Sequence, residues 1–468
     1  SRLHELDFAQ EGHRLEFSDA DDDSSPLEFK GVVYNEMKGA MSSTNSVLWH
    51  SITRYLYPTT TYHYNSGGDP AEIPDLSYDQ LVAFYRSHYH PSNAVFMTFG
   101  DIPVNELQEK MEDLALSRFD RLEHNIAVPD EKRYLAPVRV EEYYNCDDED
   151  ADRTHVVVGW LIGKNTNLKD LFQAQLLSSV LLDNSASPLM NALETSGIGS
   201  SPSPMCGLED SYREMSFLCG LEGCTEDATR TVESLVLDTL EEISSNGVPA
   251  EQVEAALHQL ELHQREITGD SYPYGLQLIL ASLSTAVHRG DAISVLDIEP
   301  VLAELREEIK DPRYIPNLIN SLLLSNQHRV TLTLRPDTRL HERQAAEERR
   351  RLDQIRDGLS AAQVAEILDR SKALAARQAQ EDDPDLLPKV GLDDIPKTIE
   401  FPADTRTILP ASDWPVHFYG QGTNGLCYEQ VIIELPDLEP DLLTLLPFYW
   451  SSLTELGIAE LDYTQVQT

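Results

Sequence analysis

One carboxylate in this sequence stands where a carboxylate needs a special partner. Ser25-Pro26-Leu27-Glu28 has the pattern of a capping box with Pro at the first helical position, and it predicts a helix over residues 25–39. At about 100° per residue, Phe29, Val32, Val33 and Ala40 fall within roughly 60° of Glu36, while Glu28, Lys30, Asn35 and Lys38 lie well away. Glu36 is therefore expected to point from the middle of an apolar stripe toward the interior. A carboxylate so placed must meet a cation, take up a proton or bind a metal. The spacing leaves an Arg partner, a helix N-terminus and a metal ion all open.

Other residue types with chemistry to offer have simpler readings. The five cysteines, Cys146, Cys206, Cys219, Cys224 and Cys427, are odd in number and irregular in spacing, so they are expected to be small, buried or half-buried thiols rather than a disulfide framework. Cys219-x4-Cys224 lacks the second pair that a structural zinc site would need. His88 and His90 flank a helix end and its Pro91 stop, which suits capping or packing. Gly67-Gly68 forms a turn without the spacing of a phosphate loop, and the Ser-rich stretches carry no nucleophile elbow.

The elements that must position these residues fall into four segments. In residues 1–130, helices are predicted over 25–39, 44–56, from the Ser77-Tyr78-Asp79-Gln80 capping box, and over 104–119, with a buried strand at 94–99. Residues 131–335 read as strands at 138–144, 155–162, 215–221 and 329–334. Between them lie helices at 168–182, 188–196, 227–245, 250–267 and 274–288. Strands mixed with helix pairs, without strict alternation, make the fold class α+β. Residues 336–398 are charged and poor in apolar positions, and Ser360-Ala361-Ala362-Gln363 caps a second helix, so this segment reads as a helical hairpin linker. Residues 399–468 open a third unit, with a strand at 428–435 and a helix at 440–456.

The 468 residues carry 36 Lys and Arg against 80 Asp and Glu, a net charge of −44. Phosphate binding needs clustered Lys and Arg, so such a balance argues against nucleic acid as a partner. It suits a solvated acidic surface of a soluble protein in the cytoplasm of a salt-adapted microbe, or an acidic chamber that steers basic peptides inward. No apolar run reaches the roughly 18 residues of a membrane span, and no signal peptide is visible at Ser1 to Asp7.

Gly31-Val32-Val33-Tyr34-Asn35-Glu36-Met37-Lys38-Gly39 resembles a segment of the presequence-protease branch of the pitrilysin/insulinase family of zinc metallopeptidases. The resemblance continues through Ser66-Gly67-Gly68-Asp69-Pro70, His88-Tyr89-His90-Pro91-Ser92-Asn93 and Leu334-Arg335-Pro336-Asp337, then Thr423-Asn424-Gly425 and Leu461-Asp462-Tyr463, in order along the chain. It implies repeated pitrilysin-type α/β sandwich domains joined by the charged hairpin. It also implies that Glu36 is the third ligand of a catalytic zinc and that the substrates are short unfolded peptides, such as released targeting sequences, enclosed in a chamber. Many members of the wider family carry a further Glu where this chain has Phe29, which narrows the resemblance to the presequence type.

The family's other two ligands and its general base belong to a His-x-x-Glu-His helix, and that motif does not occur in this sequence. His258 with Glu261 and His263 with Glu266 approach the spacing but lack the second His, as does His4-Glu5. The motif is expected upstream of Ser1, so the chain by itself is expected to be inactive and to hold zinc poorly, and its partners include the missing N-terminal and C-terminal parts of the same protein. Two alternatives stand beside this reading. One is a non-catalytic scaffold or peptide-binding subunit of the same family, and the other is an independent halophilic interaction protein.

Overall fold

The computed structural model describes residues 3–123, 126–146, 153–267, 273–381, 383–399, 401–409, 413–453 and 455–467. Strands β1 (Arg14–Phe17) and β2 (Leu27–Lys30) pair as an antiparallel hairpin, with Phe17 opposite Leu27 and Arg14 opposite Lys30. The helix expected from Ser25 does not start there. Ser25 Oγ donates to the Asp22 carbonyl at 2.8 Å within a turn, and Leu27 and Phe29 are buried at a period of two. Pairing with β1 outweighs the local capping pattern. The helix begins instead after Gly31, as α1 (Val32–Ala40), and α2 (Thr44–Leu56) follows after Met41-Ser42-Ser43. Helix α3 (Tyr78–His88) has the expected capping box at Ser77 and Gln80, and α4 (Val104–Leu114) lies beyond it. Residues 94–99 form no strand, and Phe96 and Phe99 are exposed. A strand needs a neighbour for its backbone groups, and no described segment pairs with this one.

Residues 138–337 build a six-stranded mixed sheet from β3 (Val138–Asn145), β4 (Thr154–Lys164), β5 (Ser201–Pro202), β6 (Gly207–Glu209), β7 (Glu214–Cys224) and β8 (Arg329–Asp337). The order is β3-β8-β4-β7-β5, with β6 also on β7. Among the described residues of this sheet only β3 and β8 run parallel. Helices α5 (Leu168–Leu182), α6 (Pro188–Thr195), α7 (Thr229–Asn246), α8 (Ala250–Arg265), α9 (Tyr274–Val287) and α10 (Glu299–Glu308) match the sequence expectations closely wherever the pattern predicts a helix.

Side-chain alternation sorts the sheet into two faces. Val156, Val158, Trp160 and Ile162 of β4, with Met215, Phe217, Cys219 and Leu221 of β7, meet Phe172, Leu176 and Leu177 of α5 and Val236 and Leu240 of α7. Val157, Leu161, Leu218, Val330, Leu332 and Leu334 point the other way, and there they meet Leu48, Ile52 and Leu56 of α2 together with Tyr57. Gly159 makes room for this layer. A Cβ at that position would sit 2.6 Å from Leu218 Cδ2 and 3.1 Å from Leu56 Cδ1. Helix α2, from the first segment, thus closes the second face of the sheet.

The charged stretch forms α11 (Leu340–Gly358) and α12 (Ala361–Gln378), with the expected Ser360 capping box. This hairpin does not stand free as a linker. Its Leu352 and Ile367 are buried with Phe17, Leu27, Phe29, Tyr34 and Ile73 of the first segment. Beyond it, β9 (Thr405–Leu409) and β10 (Trp414–Phe418) pair as a hairpin for which the sequence pattern gives no expectation. Residues 428–435 form no strand, and α13 (Pro440–Ser452) is largely exposed. No described helix is long and apolar enough to cross a membrane.

His328 joins the first segment to the sheet. Its Nδ1 accepts from the Tyr134 amide at 3.0 Å and its Nε2 donates to the Leu56 carbonyl at 2.8 Å, so the ring is neutral and its tautomer is fixed. Burial pushes this imidazole below its ordinary value of 6.5, and burial does the same to His155 and His288. The unfolded chain therefore takes up these protons first as the pH falls, and stability declines from about pH 6.5 downward until the folded-state values are passed. The denaturant midpoint should be lower at about pH 5 than at about pH 7.5, and His328→Gln should flatten that dependence while lowering the midpoint at neutral pH.

Candidate functional site

The approach to Glu36 begins with a glycine that has no room for a side chain. A Cβ on Gly31 would lie 2.1 Å from the Gly12 carbonyl oxygen, so backbone meets backbone directly before α1. Three residues into the helix, Tyr34 is buried and packs edge-on against Phe29, with ring centroids 6.0 Å apart. One turn on, Met37 lies over Gly67, where a Cβ would be 2.3 Å from its sulfur. Gly68 follows at φ +94°, a conformation that glycine adopts without strain. Asn65 Oδ1 accepts from the Gly67 amide and Asp69 Oδ1 accepts from the Ala71 amide, which holds the turn under α1. Tyr34 and Met37, at i and i+3, are thus the inward face.

The opposite face carries Glu36. Val32 and Val33, 41% and 36% exposed, flank it, and Ala40 is exposed as well. The stripe expected from the sequence exists, but it faces outward. Phe29 lies on β2 rather than on the helix, so its angle to Glu36 never applied, and the core contacts of α1 come from Tyr34 and Met37. Glu36 is an exposed carboxylate that makes no ion pair or hydrogen bond among the described residues. It is not the buried charge that the stripe implied.

The remaining candidates keep structural roles. Glu261 pairs with Arg265 at 2.8 Å and Arg306 at 2.5 Å, and these hydrogen-bonded guanidinium groups, Arg306 foremost, hold its carboxyl below the usual range. His258, His263 and Glu266 are exposed on α8 and just beyond it. His4 Nδ1 accepts from the Leu6 amide, and His90 Nδ1 accepts from the Ser92 amide. His88 stacks on Phe84 with centroids 3.8 Å apart. Of the cysteines, Cys146, Cys219 and Cys224 are buried, Cys206 is half-buried and Cys427 is exposed. Among the described residues no three His, Cys, Asp or Glu side chains gather as a metal site. An outward carboxylate on a short, fixed helix suits one place in a larger ligand set and does not make a zinc site by itself.

Sequence reasoning misses the residues that reach α1 from the hairpin. Glu348 Oε2 lies 2.7 Å from Lys38 Nζ, and Lys38 sits 5.3 Å from the Tyr34 ring centroid. Arg351 pairs with Asp75 at 2.5 Å and donates to the Ala71 carbonyl at 2.8 Å. These partners stand hundreds of positions apart, and no local pattern links them.

The mixed sheet backed by helices and the charged hairpin after it are those of M16-type peptidase domains. Residues 75–260 match the family model described as "Peptidase M16 inactive domain", and residues 334–468 match the model of the region associated with the C subgroup of M16 peptidases. The chain belongs to the M16 peptidase family. Within it, the similarity runs to presequence proteases. The mitochondrial presequence proteases of Danio rerio and Mus musculus are each 35% identical over 99% of this chain. Presequence protease 1 of Arabidopsis thaliana, chloroplastic/mitochondrial, is 32% identical over 98% of it. The chain spans about 45% of the length of the two animal relatives and 43% of the plant one. Among solved structures, a protease from Helicobacter pylori shares the fold with a TM-score of 0.51 at 16% identity, over 65% of this chain and 70% of that one.

The contact at Gly31 gives a direct test of how α1 is set. Gly31→Ala must push apart two backbones and should cost on the order of 1–3 kcal/mol of unfolding free energy. Gly39→Ala, where a Cβ would meet nothing within 4 Å, should be neutral or mildly stabilising in the same denaturation assay.

Proposed function

We propose that this chain is part of a zinc metallopeptidase that degrades short unfolded peptides, of the targeting-peptide type, within a closed chamber. The end-to-end match to presequence proteases, 35% identity over 99% of the chain, carries this reading. Glu36 is the metal ligand that this chain contributes. Its carboxylate projects from a helix fixed by Gly31, Tyr34 and Met37, so the backbone that presents it is set before any metal arrives. The two His ligands and the general base come from a His-x-x-Glu-His helix outside this sequence. A zinc ion bound there supplies Lewis-acid polarisation of a peptide carbonyl and a water of lowered pKa. Val32 and Val33 beside Glu36 favour a water-poor surrounding once that face is covered. The net charge of −44 favours capture of basic peptides, an attraction that salt weakens.

The test uses the intact protein, expressed from its full coding sequence. Wild type is expected to hold one zinc per chain by elemental analysis and to cleave a quenched fluorogenic peptide. Glu36→Gln should lower zinc affinity and cleavage by roughly a hundredfold or more, since it replaces an ionised ligand by a neutral amide. The 468-residue chain alone should neither cleave the peptide nor retain zinc in equilibrium dialysis. Full zinc occupancy and wild-type turnover in Glu36→Gln would remove Glu36 from the ligand set. An intact protein that binds peptide without cutting it would instead be the non-catalytic scaffold.

A further inference from the structure

Helix α1 is short, and only two of its side chains, Tyr34 and Met37, turn inward. The hairpin α11–α12 is wrapped around the same element. Leu352 and Ile367 close the apolar seam on Phe29 and Tyr34. Along α11 a row of charged side chains then reaches three separate parts of the first segment. Arg349 and Arg356 donate to the main-chain carbonyls of Leu27, Asp23 and Ser24 in the β1–β2 hairpin. Glu348 takes Lys38 at 2.7 Å on α1 itself. Arg351 lies 5.3 Å from the Phe29 ring centroid and reaches both Asp75 and the Ala71 carbonyl, just beyond the Gly67-Gly68 turn that supports Met37. On α12, Arg377 pairs with Asp7.

We propose that the α11–α12 hairpin is a brace that holds α1 in position, with Glu348 and Arg351 as positioning residues for the helix that carries Glu36. This rests on the reading of Glu36 as a ligand only in its consequence for zinc. The brace itself rests on the contacts above. Each exposed ion pair contributes little to overall stability, so the pattern is not explained as a general stabilising device. What the contacts of Arg349, Glu348 and Arg351 share is location: they bear on the strand before α1, on α1, and on the segment just beyond the turn beneath it.

The experiment uses the intact protein and the variants Lys38→Glu, Glu348→Lys and the double reversal, with Glu348→Gln as a milder change should a reversal fail to fold. Hydrogen exchange of the 32–40 peptide should quicken about tenfold in each single reversal, with exchange in the β4–β7 core unchanged, and should return to within about twofold of wild type in the double. Zinc affinity, measured against a chromophoric chelator, should weaken about fivefold in the single variants and recover in the double, while kcat falls with little change in KM. Glu348→Gln should move both readouts in the same direction. Unchanged exchange in the single variants, or a change that the double reversal fails to rescue, would overturn the brace. If exchange responds as expected while Glu36→Gln keeps its zinc, the brace stands and the assignment of Glu36 falls.

Discussion

Burial of the second face of the sheet by α2 is the contact on which the rest of the structure depends. Strands β4 and β7 carry apolar side chains on both faces and β8 on one, and an open sheet face bearing Val157, Leu161, Leu218, Val330 and Leu332 would expose a large apolar patch to water. Leu48, Ile52 and Leu56 remove that patch, and Gly159 lets them approach. Because α1 ends only a few residues before α2 begins, the same contact fixes where Glu36 stands relative to the sheet. His328 adds a directional element, since its hydrogen bond to Leu56 ties the end of α2 to the start of β8. The two sequence segments therefore behave as one packed body at this seam, although by pattern they read as separate units.

The legible parts of the sequence are those whose partners lie within residues 138–337. Helix 168–182 is legible to the residue, and the four long strands of the sheet fall within a few positions of their expected bounds. Long periodic runs with local caps leave little freedom. The departures have a common physical form. Residues 27–30 carry a capping pattern, yet cross-strand pairing with Arg14–Phe17 decides their conformation. Residues 94–99 and 428–435 have strand composition but no paired neighbour among the described residues. Composition reports a propensity, while a strand exists only in pairs.

Glu36 shows the same limit at a single side chain. Helical periodicity correctly places it with Val32, Val33 and Ala40, because angles within one helix are local geometry. It cannot say which face of α1 meets the core. That depends on Phe29, Gly67 and the hairpin, all outside the helix. The resemblance of the 31–39 segment to a known peptidase family singles out the residue without needing its orientation. The supporting contacts from Glu348 and Arg351 have no signal in the sequence beyond a surplus of Arg on α11, whose planar, multiply donating head suits bridging of carbonyls and carboxylates.

The parallel pairing of β3 with β8 sets an order of events in synthesis. β3 emerges from the ribosome early, but its hydrogen-bonding neighbour is the last strand of the sheet to be made, nearly two hundred residues later. β4 must likewise hold one edge open until β8 inserts between it and β3. Until then the nascent chain carries unpaired strand edges, the kind of surface that chaperones occupy. Closure of the sheet is a long-range step, because its partners β3 and β8 stand nearly two hundred residues apart.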